Sequence, residues 1–158
     1  MIYQGKARYP VREAVLHCAA IRTGQFAHML PFQVFATINQ WHYERGFKNG
    51  FGYHGLFMPD GTFYAGRPFD MIGAHVIGHN AGTLGFLMIE SRQIVAPKAG
   101  DPPSVFSDWF TSAQALAVKA TLQYLRASHG LELEKVSGHN DYAPKLCPGF
   151  KVISSEWM

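Results

Sequence analysis

Two short runs of apolar residues constrain the fold of this chain more than any other feature. AVLHCAA at residues 14–20 and LGFLMIE at residues 84–90 each predict a strand buried in a sheet. The first run carries His17, a polar ring in otherwise apolar surroundings, and Cys18 follows it directly. Because successive residues of a strand point to opposite faces, we expect Cys18 to be a core residue on the face away from His17.

A hairpin is predicted in the middle of the chain. Pro-Asp-Gly at residues 59–61 separates two runs that are rich in aromatic residues, and this tripeptide favours a tight turn. We therefore expect strands near residues 53–58 and 62–66. The segment EKVSGH, residues 134–139, predicts one more short strand.

Two amphipathic helices are predicted on either side of this hairpin. The first begins at Pro31, where a missing N–H costs nothing, and ends near Gly46. The second follows Thr111, which forms a T-x-x-Q capping box with Gln114, and extends through about Ser128. Apolar or aromatic side chains recur at helical spacing in both segments: Val34, Phe35, Ile38, Trp41 and His42 in the first, and Val118, Leu122 and Leu125 in the second.

Strands and helices mix along the chain without repeats, which predicts an α/β fold in which helices flank a central, mixed β-sheet. A length of 158 residues, of which 47% are hydrophobic and 16% charged, suits one domain spanning residues 1–158. We expect this domain to be a monomer.

Net charge and the distribution of apolar residues exclude some classes of binding partner. The net charge is only +3 and no Lys/Arg cluster is present, so we expect no nucleic-acid partner. No segment approaches the roughly 18 apolar residues of a membrane span, so we expect no membrane partner. The first residues lack the apolar core of a signal peptide, which predicts synthesis in the cytoplasm without export by such a signal.

The segment GHNDYAPKLCPGF, residues 138–150, holds the most informative chemistry. His139 and Cys147 could ligate zinc, which prefers imidazole nitrogen and thiolate sulfur, and prolines would stiffen the loop between them. A third ligand would come from elsewhere, and His17 is the best candidate because a buried imidazole needs a partner.

Two other interpretations of this segment stay open on spacing alone. Cys147 could be a nucleophile activated by a histidine and by Lys145, although Pro148 removes a backbone donor that would stabilise a thiolate. The segment could also be a polar surface loop with a half-buried cysteine. The usual glutamate base of H-E-x-x-H zinc enzymes is absent.

Several ordered motifs resemble a known family. They are V-L-H-C (15–18), I-N-Q-W-H (38–42), G-Y-H (52–54), D-G-T (60–62), G-A-H-V-I-G-H-N (73–80), F-T-S-A-Q (110–114) and H-N-D-Y-A-P-K-L-C-P-G-F (139–150). Their order and content are similar to those of the zinc-dependent N-acetylmuramoyl-L-alanine amidases, a superfamily that includes the peptidoglycan recognition proteins. Within it, the chain most resembles single-domain bacteriophage lysozymes of the amidase type.

The resemblance implies a site for Zn²⁺ in a surface cleft. By this resemblance His17, His139 and Cys147 match the three zinc ligands, while Tyr53 and Lys145 match active-site residues. His75 falls where the family lines its substrate groove. Residues 22–30 and the LGFLMIES segment depart from the family's pattern.

The implied activity is hydrolysis of peptidoglycan at the amide bond between the lactyl group of N-acetylmuramic acid and L-alanine. An endolysin that reaches the cell wall once the membrane is breached fits the missing signal peptide. Three alternatives remain: a peptidoglycan-binding module without catalysis, a cytoplasmic amidase that recycles muropeptides, and a regulator of another protein. Non-catalytic relatives commonly lack the cysteine ligand, so Cys147 favours an enzyme.

Overall fold

A five-stranded sheet with one helix on each face forms the centre of the protein. The computed structural model describes residues 1–158, and the strand order is β5-β4-β6-β3-β7. Only the β4–β5 pair is antiparallel, so the sheet is mixed, as predicted. The elements are β1 (Tyr3–Gln4), β2 (Tyr9–Pro10), β3 (Glu13–Cys18), α1 (Pro31–Glu44), β4 (Gly55–Phe57), β5 (Phe63–Ala65), β6 (Thr83–Met88), α2 (Ser112–His129) and β7 (Lys135–Gly138), with short 3₁₀ turns at Phe106–Asp108, His139–Asp141 and Ser154–Glu156.

The two apolar runs form the neighbouring central strands β3 and β6, which pair in parallel with His17 opposite Leu87. Every residue of both strands is buried. The predicted hairpin is β4 and β5, each shorter than predicted. β1 and β2 form a small separate antiparallel sheet that the sequence did not predict.

Helix α2 covers one face of the sheet. Thr111 and Gln114 form the predicted capping box: each backbone N–H donates to the other's side chain, at 2.9 and 3.2 Å. Gly130 ends the helix in the left-handed conformation, with φ of 60°. Cys18 lies in the core beneath this helix, confirming that it points away from His17.

Helix α1 covers only part of the opposite face. It begins at Pro31, as predicted, and buries Val34 and Ile38 against Leu56 and Leu87 of the sheet. His17 lies on this same face, beyond the area that α1 covers. The parallel strands β3 and β7 both end there, so their carboxyl ends leave one edge of this face for a site. Neither helix has the length and apolar character needed to cross a membrane.

Candidate metal and catalytic site

The three predicted metal ligands meet at the carboxyl ends of β3 and β7. His17 is the fifth residue of β3 and is fully buried, and His139 opens the turn that follows β7. Cys147 lies on the loop of residues 139–147, here called the ligand loop. One donor atom of each residue lies within 4.8 Å of the other two, and Cys147 Sγ is 3.8 Å from His17 Nδ1.

The charge states of these side chains suit a zinc ion. The Cys147 sulfur accepts a hydrogen bond from the backbone N–H of Cys18 at 3.3 Å. The neighbouring side chains of Cys18, His139 and His17 lower the pKa of the Cys147 thiol well below its usual value, although burial opposes this shift. Burial lowers the pKa of His17, so its ring is neutral at pH 7. Two imidazoles and one thiolate are a donor set that zinc prefers, and three protein ligands leave one position for water. The residues present therefore fit zinc.

The ligand loop is tied to the sheet by a buried carboxylate, Glu13, at the start of β3. The Tyr142 hydroxyl of the loop donates to Glu13 Oε1 at 2.5 Å, and the Ser137 hydroxyl of β7 donates to the same oxygen. His79 Nε2 lies 3.0 Å from Oε2, and Lys135 Nζ lies 3.6 Å from Oε1. Burial raises the pKa of Glu13, but the hydrogen bonds from Ser137, Tyr142 and His79 outweigh it and lower the pKa overall.

Tyr53, predicted as a catalytic residue, lies directly beside the metal ligands. Its ring centroid is 5.0 Å from that of His17, and the side chain is partly exposed to the neighbouring cleft. Burial raises the pKa of the Tyr53 phenol, and the charge of Cys147 raises it further. The phenol is therefore protonated at neutral pH and can donate a hydrogen bond or a proton.

Lys145, the second predicted catalytic residue, lies on the ligand loop two residues before Cys147. Its backbone N–H donates to Ala143 O at 2.7 Å, which tightens the loop. The side chain is exposed, and its ammonium group forms neither an ion pair nor a hydrogen bond within the protein. The structure therefore brings the lysine's backbone to the site and leaves its side chain free to approach a substrate.

His75, implied as a substrate-groove residue, is 7% exposed and lies behind His17. Its Nδ1 is 3.0 Å from His17 Nε2, and its Nε2 is 3.3 Å from the Thr83 hydroxyl. Burial, followed by the nearby His17, lowers the pKa of His75 well below its usual value. Its ring contacts a ligand residue and the sheet.

A cleft of about 470 Å³ opens beside Tyr53, between the carboxyl-terminal half of α1 and the segment after β3. Trp41 and His42 of α1 form one wall, and Ala20 and Arg22 form part of the other. Residues 19–30, here called the cleft rim, include the whole of segment 22–30, which departs from the family's pattern.

Glu90 holds the start of the cleft rim in place. The Glu90 carboxylate accepts hydrogen bonds from the backbone N–H groups of Ala19 and Ile21, at 3.0 and 2.7 Å. Between them Ala20 adopts a φ of 54°, a strained value that persists only where its surroundings enforce it. Burial raises the pKa of Glu90, because it has no cationic partner.

The sequence analysis missed both buried glutamates. The available signal was a carboxylate at the border of an apolar run: Glu13 precedes the run that becomes β3, and Glu90 is the last residue of the run that contains β6. A carboxylate in that position is costly to bury unless it accepts hydrogen bonds, so it indicates a partner that the sequence does not identify.

Known proteins similar to this chain include amidases and endolysins. The profile of the family described as N-acetylmuramoyl-L-alanine amidase matches residues 7–150. An endolysin of Enterobacteria phage T3 is 31% identical over 149 residues, covering 94% of this chain and 87% of that endolysin. The N-acetylmuramoyl-L-alanine amidase LysC of Clostridium intestinale URNW superposes with a TM-score of 0.66 at 25% identity, covering 90% of this chain and 79% of LysC. Bumblebee PGRP-SA has the same fold, with a TM-score of 0.70 at 20% identity over 96% of this chain and 81% of its own.

Proposed function

This chain belongs to the N-acetylmuramoyl-L-alanine amidase family and is a peptidoglycan amidase, and we propose that it works through a zinc ion held by His17, His139 and Cys147. The observation that carries this proposal is the convergence of two imidazoles and a cysteine sulfur, from strand β3 and the ligand loop, within 4.8 Å. When bound, zinc supplies a water that is nucleophilic at neutral pH and polarises the amide carbonyl.

The reaction adds water across the amide bond that joins the lactyl group of N-acetylmuramic acid to L-alanine. The carbon–nitrogen bond breaks, the lactyl carbonyl becomes a carboxylate, and the departing L-alanine nitrogen takes a proton. Tyr53 would hydrogen-bond the attacking water or donate this proton; its protonated phenol and the position of its ring beside His17 support this role.

Lys145 would support the same step. Its free ammonium extends from the loop that carries Cys147 and can reach the carbonyl oxygen on which negative charge develops. A cation at that position stabilises the transition state more than the substrate, which is the condition for a faster reaction.

The cellular role follows from the endolysin relatives. The protein would be made in the cytoplasm as a monomer and would act on the bacterial cell wall as a phage or prophage endolysin. Peptidoglycan is then its macromolecular partner, without a nucleic-acid or membrane partner. A binding module without catalysis is disfavoured because Cys147 completes the ligand set.

The test combines metal content with product analysis. Purified protein should contain about one zinc per chain, and digestion of peptidoglycan should release stem peptides with a free N-terminal L-alanine, detected by mass spectrometry. A strong chelator should abolish lysis and added zinc should restore it. Lysis unaffected by chelation would refute the role of zinc, whereas products without free L-alanine termini would refute the assigned bond.

A further inference from the structure

A second histidine lies directly behind one of the three proposed ligands. The Nδ1 atom of His75 is 3.0 Å from the Nε2 atom of His17, on the side of that ring away from Cys147. The opposite nitrogen of His75, Nε2, is 3.3 Å from the hydroxyl of Thr83 on β6. Three side chains from separate segments therefore form one continuous line of polar contacts.

The ring of His75 occupies a socket that two glycines leave open. A Cβ atom on Gly85 would lie 2.5 Å from Cγ of His75, and one on Gly73 would lie 2.5 Å from its Cδ2. The backbone is held as well, because the N–H groups of His75 and Val76 both donate to Asn80 Oδ1 at 2.8 Å. This packing gives a physical reason for the glycine, histidine and asparagine of the segment at residues 73–80.

The hydrogen positions in this line follow from the acceptors around Thr83. Its hydroxyl has a single hydrogen, which it donates to the carbonyl of His79 or Asn80, each 3.0 Å away. The hydroxyl oxygen is thus left to accept the Nε2–H of His75. A neutral imidazole carries one N–H, so His75 Nδ1 is a bare acceptor and His17 Nε2 must donate to it. The lone pair of His17 is then on Nδ1, the atom that faces Cys147.

We propose that His75 is a positioning residue: its Nδ1 accepts the hydrogen of His17 Nε2 and so holds the His17 ring with its Nδ1 lone pair aimed at the metal position. This inference rests on the proposed zinc-dependent function. It differs from the groove-lining role that the family resemblance implies for His75. Metal-bound histidines commonly donate their other N–H to a carboxylate, carbonyl or water, and here a neutral imidazole takes that place.

The direct test is the zinc affinity of the apoprotein, measured by competition with a chromophoric chelator at constant pH. His75→Leu fills much of the socket but removes the acceptor, so zinc affinity should fall by about 10- to 100-fold. His75→Asn places an amide oxygen near the position of Nδ1 and should recover most of that loss. His28→Leu, at an exposed histidine, is the matched control and should leave affinity unchanged.

Cobalt(II) substitution gives a second measurement that does not depend on catalysis. His75→Leu should keep the absorption band from the Cys147 thiolate but change the visible bands that report ligand geometry. If His75→Leu does not fold, Thr83→Val removes the hydroxyl that sets the His75 hydrogen and should weaken zinc binding in the same direction.

Wild-type zinc affinity in a folded His75→Leu protein, or in Thr83→Val where that variant is used instead, would overturn the inference. An Asn variant as weak as the Leu variant would overturn its hydrogen-bond basis. A wild-type protein that binds no zinc would refute the proposed function together with this inference. Normal zinc binding by both wild type and His75→Leu would refute the inference alone.

Discussion

Two loops border the site, and a buried glutamate anchors each of them in a different electrostatic setting. On the metal side, Glu13 holds the ligand loop through Tyr142 and has Ser137, His79 and Lys135 around its carboxylate. On the cleft side, Glu90 holds the rim through two backbone N–H groups alone. The pKa of Glu13 is lowered because its hydrogen bonds outweigh burial, and that of Glu90 is raised because burial dominates.

The opposite pKa shifts of Glu13 and Glu90 mean that the two anchors contribute differently to stability at neutral pH. Folding favours the ionised form of Glu13. The hydrogen bonds that hold the ligand loop to this carboxylate are therefore fully present at neutral pH. An ionised Glu90 is disfavoured, so the cleft rim is held at some cost. The metal side is therefore anchored by a carboxylate whose charged form is favoured on folding, and the cleft side by one whose charged form is disfavoured.

The largest expected effect is on the metal side, from Cys147→Ser. Loss of the thiolate should remove bound zinc and lower wall-lytic activity by more than about 100-fold, beyond the loss typical of residues that support a ligand. Metal analysis and the clearing of a peptidoglycan suspension measure both. His28→Leu, at an exposed histidine, is again the control and should retain zinc. Full activity in Cys147→Ser would remove this residue from the site.

Lys145→Ala should separate catalysis from metal binding. We expect zinc content to stay at the wild-type level and the rate to fall by about 100-fold, since one donor that stabilises developing negative charge contributes on this scale. Lys151→Ala, also exposed and four residues after Cys147, is the matched control. An unchanged rate in Lys145→Ala would show that the lysine has no catalytic role.

Glu13→Gln tests the anchor of the ligand loop. Hydrogen bonds to a charged group contribute about 1.5–3 kcal/mol, so the free energy of unfolding at pH 7 should fall by about that amount. Because folding lowers this pKa from its usual 4.5, the wild type should lose stability as pH falls below about 4.5, and the variant should lose less. Urea unfolding across a pH series measures both effects. Equal acid sensitivity in the two proteins would contradict the role of Glu13.

Glu90→Gln should have the smallest effect and the opposite dependence on pH. The variant loses one of two hydrogen bonds from backbone N–H groups, which should lower the free energy of unfolding by about 1 kcal/mol. Removal of a buried charge offsets part of this loss. Because folding raises this pKa above 4.5, the Glu90 contribution to stability falls as pH rises through the folded-state pKa. The variant should lack that decrease in the same urea series. If the free energy of unfolding of Glu90→Gln still falls over this pH range, the decrease does not come from Glu90 and the proposed difference from Glu13 is wrong.

Most helices and strands could be predicted because the sequence patterns that favour them span only a few neighbouring residues. The capping box at Thr111 and Gln114, the proline start of α1 and the apolar run of β3 act over a few residues, and each appears in the structure. Strands β1 and β2 escaped prediction because two-residue strands show no periodicity. Residue chemistry and family resemblance selected His17, His139 and Cys147, and the fold brings their donor atoms within 4.8 Å of one another.

The sequence by itself determined the family, the α/β class and the candidate zinc ligands, because these depend on residue types and on short-range spacing. Only the tertiary structure decided that His75 lies behind His17 and that two glutamates hold the flanking loops. Glu13 and Tyr142, or His17 and His75, are far apart along the chain, and their contacts exist only because the fold brings distant segments onto one face of the sheet.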